Sequence, residues 1–264
     1  VRRGHEFFGL DLPELDVTDC DAVAAAVHTI LPDTIVNCAA FTAVDAAEND
    51  EEAARAVNAT AVAHLAEASN EVGASLVQIS TDYVFDGASS RPYREDDATG
   101  PLGAYGRTKL AGEAAAAGAR GHLVVRTAWL FGDGANFVAA IRRQLDGGAR
   151  TLRVVADQTG CPTYAVDLAE AILRLGERGA RGLLHVVNDG SASWCDFARE
   201  IVLLLGAAAE VEPITTAQAR RPAPRPAYSV LDASRAASLL GRPLPSWQDA
   251  LGRYLAERGR GAGS

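Results

Sequence analysis

The chain has no methionine, one lysine and four cysteines among 264 residues. No stretch approaches the roughly 18 consecutive apolar residues of a membrane-spanning helix. The opening Val1-Arg2-Arg3-Gly4-His5 holds no signal-peptide core, so a cytoplasmic protein is expected, without membrane association. Cys20, Cys38, Cys161 and Cys195 share no C-x-x-C spacing. They are expected to be buried thiols, not a metal site or a disulfide framework. Positive charge is in deficit: the net charge is −9, which argues against nucleic acid as the main partner. It leaves room for an anionic small ligand, which meets only its local site. The missing initiator methionine and the charged start that drops straight into Phe7-Phe8-Gly9-Leu10-Asp11 lead to the expectation that the natural protein begins further upstream.

What is present alternates strand and helix. Phe7–Leu10 reads as a strand. Thr18 reads as the N-cap of a helix, with Asp19 and Asp21 in its first turn and an alanine-valine face through Ile30. Thr34 to Ala40 is β-branched and then small, as a buried strand requires. The pattern predicts a helix over Glu51–Val72, a strand over Ser75–Ser80, a loop over Asp82–Leu102, a helix over Tyr105–Ala117 and a strand over His122–Arg126. Strands regularly separated by helices imply an α/β fold with a parallel sheet covered on both faces. Beyond Gly132 the rhythm loosens. Helices are predicted near Phe137–Leu145, Asp167–Leu175, Asp196–Leu205 and Trp247–Ala256, with strands near Leu152–Val155 and Leu183–Val187. This divides the chain into residues 1–132, a smaller mixed region over 133–258, and a disordered tail over 259–264, the strand at 183–187 rejoining the first sheet.

Lysine occurs once, as Lys109, four positions after Tyr105, against 24 arginines. At that spacing on a helix the two side chains share a face. An ammonium is a compact charge with a tunable pKa, whereas a guanidinium is broad and always charged. A lone lysine beside a phenol therefore suggests a cation that lowers the phenol's pKa and holds something next to it. In an open parallel sheet, ligands sit beyond the carboxyl ends of the strands. Residues after each strand are then candidates. Asp11 could accept from a ribose diol or be a turn aspartate. Ala39-Ala40-Phe41-Thr42 could admit a flat ring or be a tight strand end. The hydroxyls of Ser80-Thr81-Asp82 could bond a substrate carbonyl or simply cap a turn.

These residues together resemble the site of the extended short-chain dehydrogenase/reductase superfamily. Longer strings narrow the resemblance: VNCAAFTAVDAAE (36–48), STDYVFDG (80–87), YREDD (93–97), GPLGAYGRTKLAGE (100–113), RTAWLFG (126–132), DQTGCPTYAVDLA (157–169) and RRPAPRPAYSVLD (220–232). They are similar to dTDP-4-dehydrorhamnose reductases, from about Glu6 to Leu255. The resemblance implies a Rossmann-type doubly wound sheet. It implies reduction of a 4-keto nucleotide-sugar substrate by NADPH or NADH. Tyr105 would be the acid, Lys109 would tune it and bond the nicotinamide ribose, and Thr81 would bond the reacting oxygen. Asp11, Asp16, Val17, Ala39, Ala40, Phe41 and Thr42 match cofactor positions. Thr81, Asp82 and Trp129 match substrate positions, although a tryptophan after a strand reads equally as core. A carboxylate at Asp11 repels a 2′-phosphate and so leans toward NADH.

One departure stands out. The glycine-rich G-x-x-G-x-x-G turn and the first strand of such a sheet are absent from the sequence, and Gly4 and Gly9 are wrongly spaced to replace them. A truncated form of an active enzyme is the expectation. Other readings are a reductase of a related deoxyhexulose, or a non-catalytic nucleotide-binding regulatory subunit, against which the retained Thr81, Tyr105 and Lys109 argue. Monomer and homodimer both stay open. So does Mg2+, because the family's metal-mediated dimer uses acidic residues whose first member would precede Val1.

Overall fold

The computed structural model describes residues 4–261. The chain forms two compact units, one taking 1–80, 103–125 and 181–183, the other 81–102, 126–180 and 184–264.

The first unit contains α1 (Cys20–Ile30), β1 (Thr34–Asn37), α2 (Val44–Ala47), α3 (Glu51–Arg55), α4 (Ala61–Val72), most of β2 (Ser75–Thr81), α5 (Ala104–Ala116) and most of β3 (His122–Thr127). Asp19 starts α1, its carboxylate accepting from the amides of Asp21 and Ala22, and Leu31 ends it in the left-handed region. Thr18, expected as the cap, instead bonds Asp16 through its hydroxyl at 2.7 Å. Val23 and Val27 lie one turn apart on α1 and pack with Val62, Leu65 and Ala66 of α4 and with Leu76 of β2 and Val124 of β3. Each such buried side chain contributes about 1.5–3 kcal/mol. The predicted helix over 51–72 is present but contains a π turn at Ala56–Thr60.

The sheet runs in the order β1, β2, β3 and then a strand at Gly182–His185, so the segment predicted at 183–187 does join it. β1 pairs parallel with β2 from Thr34 opposite Ser75 to Asn37 opposite Gln78. β1 stops at Asn37 and does not continue to Ala40, because Asn37 turns its side-chain oxygen to the Ala39 amide at 3.1 Å. Phe7–Leu10 is not a strand. Phe7 is 77 % exposed, and no strand pairs with this segment among the described residues. An apolar run becomes a strand only where a neighbour takes its backbone groups.

The second unit contains β4 (Leu130–Phe131), α6 (Phe137–Asp146), β5 (Thr151–Val155), β6 (Thr159–Gly160), β7 (Thr163–Tyr164), α7 (Ala165–Glu177), the end of β8 (Gly182–His185), β9 (Ala192–Ser193), α8 (Trp194–Leu204), β10 (Glu210–Ile214), α9 (Thr216–Ala219), α10 (Ser234–Leu240) and α11 (Trp247–Gly261). Its core gathers Phe131, Tyr164, Phe197, Ile201, Trp247, Leu251 and Tyr254. β10 pairs parallel with β5 but carries Pro213 and exposed Glu210 and Glu212, which hide its strand character in the sequence. α11 runs to Gly261, so helix replaces the tail expected from Gly259; residues 262–264 lie outside the described residues.

No helix is long and apolar enough to cross a membrane among the described residues. Nor does any group of three or more His, Cys, Asp or Glu side chains there suit a metal ion. All four cysteines are free, but only Cys161 and Cys195 are buried; Cys20 and Cys38 are exposed, contrary to expectation. Cys20 is the exposed first residue of α1, and Cys38 follows the last residue of β1.

Candidate active site

Within the first unit the site is built on α5 and the end of β2. Gly103 offers no side-chain cap to α5; the Glu48 carboxylate serves instead, accepting from the Ala104 amide at 2.6 Å. Tyr105 follows and packs with Phe41 against Ala47, Ala54 and Ala104. Lys109 comes one turn later and is 4 % exposed. Its Nζ donates to the Ile79 carbonyl at 2.6 Å. Burial pushes its pKa down to about 8, against the pull of Glu113 and Cys38.

The loop after β1 is held by a residue that sequence reading missed. Asn58, in the π turn and 1 % exposed, accepts from the Phe41 amide at 2.9 Å and donates to the Phe41 carbonyl at 3.2 Å. Its Nδ2 also donates to the Thr108 hydroxyl at 3.0 Å, and that hydroxyl donates to the Tyr105 carbonyl at 3.0 Å. One buried amide thus ties the Ala39-Ala40-Phe41-Thr42 loop to the helix that carries Tyr105 and Lys109. Asp11 and Asp16 make their hydrogen bonds locally on exposed turns before α1. Asp11 accepts from Leu12 at 2.8 Å. Asp16 accepts from Thr18, which lowers its pKa. Val17 is packed against the α1–α4 core and so is partly spent on structure.

The remaining candidates belong to the second unit. Thr81 ends β2 and is buried; its hydroxyl donates to Asp82 Oδ1 at 3.1 Å and accepts from the Tyr83 amide at 3.2 Å. Asp82 is 2 % exposed and also accepts a short bond from the Ser229 hydroxyl. Burial pushes Asp82 up to about 6, opposed by those hydroxyls. Trp129 adopts φ +46°, rare for a tryptophan. Its ring stacks on Trp194 with centroids 3.5 Å apart, and a β-carbon at Gly160 would reach it at 2.5 Å. Trp129 is therefore neither plain core nor free surface. Ser229 and Trp194 were invisible in the sequence, lying 147 and 65 positions from their partners. Gly112 and Glu113 follow Lys109 at helical spacing, a signal that helical periodicity alone offered.

A parallel sheet of this order, with the tyrosine-lysine helix α5 between β2 and β3, defines a Rossmann-type reductase architecture. Residues 1–259 match the model of the family described as the RmlD substrate binding domain. The chain belongs to that family. It is 47 % identical over 268 residues to a dTDP-4-dehydrorhamnose reductase of Mycobacterium tuberculosis, spanning 97 % of this chain and 86 % of the relative. A solved dTDP-4-dehydrorhamnose reductase from Clostridium acetobutylicum is 40 % identical with a TM-score of 0.94, covering 98 % of this chain and 92 % of its own. A Bacillus anthracis counterpart, solved in complex with NADP, is 38 % identical with a TM-score of 0.91, covering 95 % and 89 %.

Proposed function

We propose that this chain reduces the 4-keto group of a dTDP-4-keto-6-deoxyhexose, converting dTDP-4-dehydro-L-rhamnose to dTDP-L-rhamnose with NADPH or NADH. The observation that carries this reading is the lone lysine, buried one turn after Tyr105 and bonded to the Ile79 carbonyl. An ammonium has three donors, and Ile79 takes one. The others suit a ribose diol, and the small residues Ala39 and Ala40 beside Phe41 suit a flat ring. These residues fit the nicotinamide end of a dinucleotide, which supplies the hydride when bound.

Tyr105 gives its phenolic proton to the C4 oxygen as negative charge develops there. A phenol with a pKa near 10 is a weak donor at neutral pH, and Lys109 corrects this by stabilising the phenolate left behind. Thr81 bonds the reacting oxygen, turning to it the one hydroxyl proton that rests on buried Asp82 in the free site. Trp129 faces the sugar. Asp11, Asp16, Val17 and Thr42 complete the cofactor side with Ala39, Ala40 and Phe41. In this reading the first unit serves the dinucleotide and the second serves the sugar nucleotide. The protein acts in the cytoplasm as a monomer or homodimer, without nucleic acid.

The test is oxidation of NADPH and of NADH by the purified chain with dTDP-4-dehydro-L-rhamnose, product stereochemistry being read by NMR. Turnover confined to the C5 epimer would move the assignment to a related deoxyhexulose reductase. Binding of the nucleotide sugar without turnover would favour a regulatory subunit.

A further inference from the structure

We propose that Glu113 is a positioning residue for this reduction: its carboxylate, one turn beyond Lys109 on α5 and tied by Ser80 to the strand that receives the lysine's hydrogen bond, keeps the buried ammonium charged. The inference rests on the reductase reading for its catalytic meaning, but the charge relationship is a property of the folded chain alone.

The geometry is a small clamp between α5 and β2. Ile79 and Ser80 are consecutive on β2. The Ile79 carbonyl accepts from Lys109 Nζ at 2.6 Å, and the Ser80 hydroxyl donates to Glu113 Oε1 at 2.5 Å. Lys109 and Glu113 are four apart on one helix, so their side chains lie over neighbouring turns of one face. Lys109 is 4 % exposed and Glu113 is half-buried, which shields the pair partly from bulk water and strengthens the field between the two charges.

The need for such a partner follows from burial. Desolvation disfavours the ammonium; the hydrogen bond to the Ile79 carbonyl and a nearby negative charge offset it. Glu113 is the larger of the charges opposing that shift, ahead of Cys38 at the end of β1. Other charged groups on elements packed around α5 are engaged elsewhere. Glu48 binds the Ala104 amide, Glu51 of α3 pairs with Arg107 and Arg55, and Glu71 of α4 pairs with His28. Asp45 on α2, Glu52 on α3 and His64 and Glu67 on α4 complete the titratable set on those elements, while β2 has none. A neutral Lys109 would leave Tyr105 without its cation.

Because the chain has a single lysine, [13Cε]lysine labelling places one side-chain resonance in the spectrum, and its shift with pH reads the protonation of Lys109 directly. Glu113→Gln keeps the shape and an acceptor for Ser80 but removes the charge. Its midpoint is expected about one pH unit or more below the parent's, roughly a tenfold loss in proton affinity. The alkaline limb of kcat/KM should move by the same amount. Glu113→Asp keeps the charge with shorter reach and should fall less. A midpoint unchanged in Glu113→Gln, or an equal fall in both variants, overturns the proposal. Should Glu113→Gln not fold, Glu113→Ala takes its place, and a midpoint equal to the parent's overturns the proposal. A parent that lacks reductase activity would undo the functional reading while leaving the lysine titration to be read.

Discussion

Gly112 lies so close to Asn58 that a β-carbon on the glycine would sit 2.0 Å from the Asn58 carbonyl oxygen. The backbones of α5 and the π turn therefore touch at this point. The contact explains how a short amide side chain at Asn58 reaches both the Phe41 backbone and Thr108. Close approach by glycine and the π turn are two sides of one packing solution.

Gly112→Ala should consequently destabilise the protein, although alanine is the better helix former by about 1 kcal/mol. Overpacking typically costs about 1–3 kcal/mol, and a β-carbon 2.0 Å from a backbone oxygen puts this site at the upper end, so a net loss of about 2 kcal/mol is expected. Urea unfolding measures it. A more stable variant would show that α5 can move away freely.

Tyr105→Phe removes one proton and leaves the ring packed beside Phe41. Turnover should collapse while NADH affinity, followed by fluorescence titration, stays nearly unchanged. Near-normal turnover would remove Tyr105 as the acid.

Lys109→Arg preserves charge but not shape. A guanidinium is too broad for a buried position that bonds one backbone carbonyl, and it spreads its charge over three nitrogens. At least about a tenfold loss in kcat/KM is expected, equivalent to about 1.4 kcal/mol of transition-state stabilisation. Parent-like rates in steady-state assays across neutral pH would make the lone lysine an accident of composition.

Gly160→Ala places a β-carbon 2.5 Å from the Trp129 ring, which is already backed by Trp194 and must move. The KM for the sugar nucleotide should rise several-fold with cofactor affinity intact. Equal effects on both ligands would separate Trp129 from the sugar.

Asp82 gives stability a pH dependence of definite sign. Its folded pKa is raised from 3.8 to about 6, so the native state binds more protons between those values than the unfolded state does. Stability contributed by this group is present below pH 3.8 and is lost as pH rises to about 6. Asp82→Asn should flatten that part of the stability curve, measured by thermal unfolding at a series of pH values. An unchanged slope would show that the carboxyl is not strained by burial.

The alternation of helices and strands was legible from hydrophobic period alone, because residues that share a helix face or a strand face are close in sequence. α5, α6, α8 and β2 fall within two residues of their predicted bounds. Short strands were not legible: β4, β6, β7 and β9 are two residues long and exist only through their partners. Phe7–Leu10 failed in the opposite sense, having a strand's composition without a neighbour to pair with.

The sequence by itself determined the α/β class, the family and the helical spacing that sets Tyr105, Lys109 and Glu113 on one face. Tertiary structure alone decided that Lys109 is buried against Ile79, that Asn58 joins the Phe41 loop to Thr108, that Ser229 holds Asp82 and that Trp194 backs Trp129. Each of these is a contact between residues 17 to 147 positions apart. Local periodicity reports which face of an element turns inward. Which side chains meet there, and how far a charge loses water on arriving, depends on packing among elements that no local window contains.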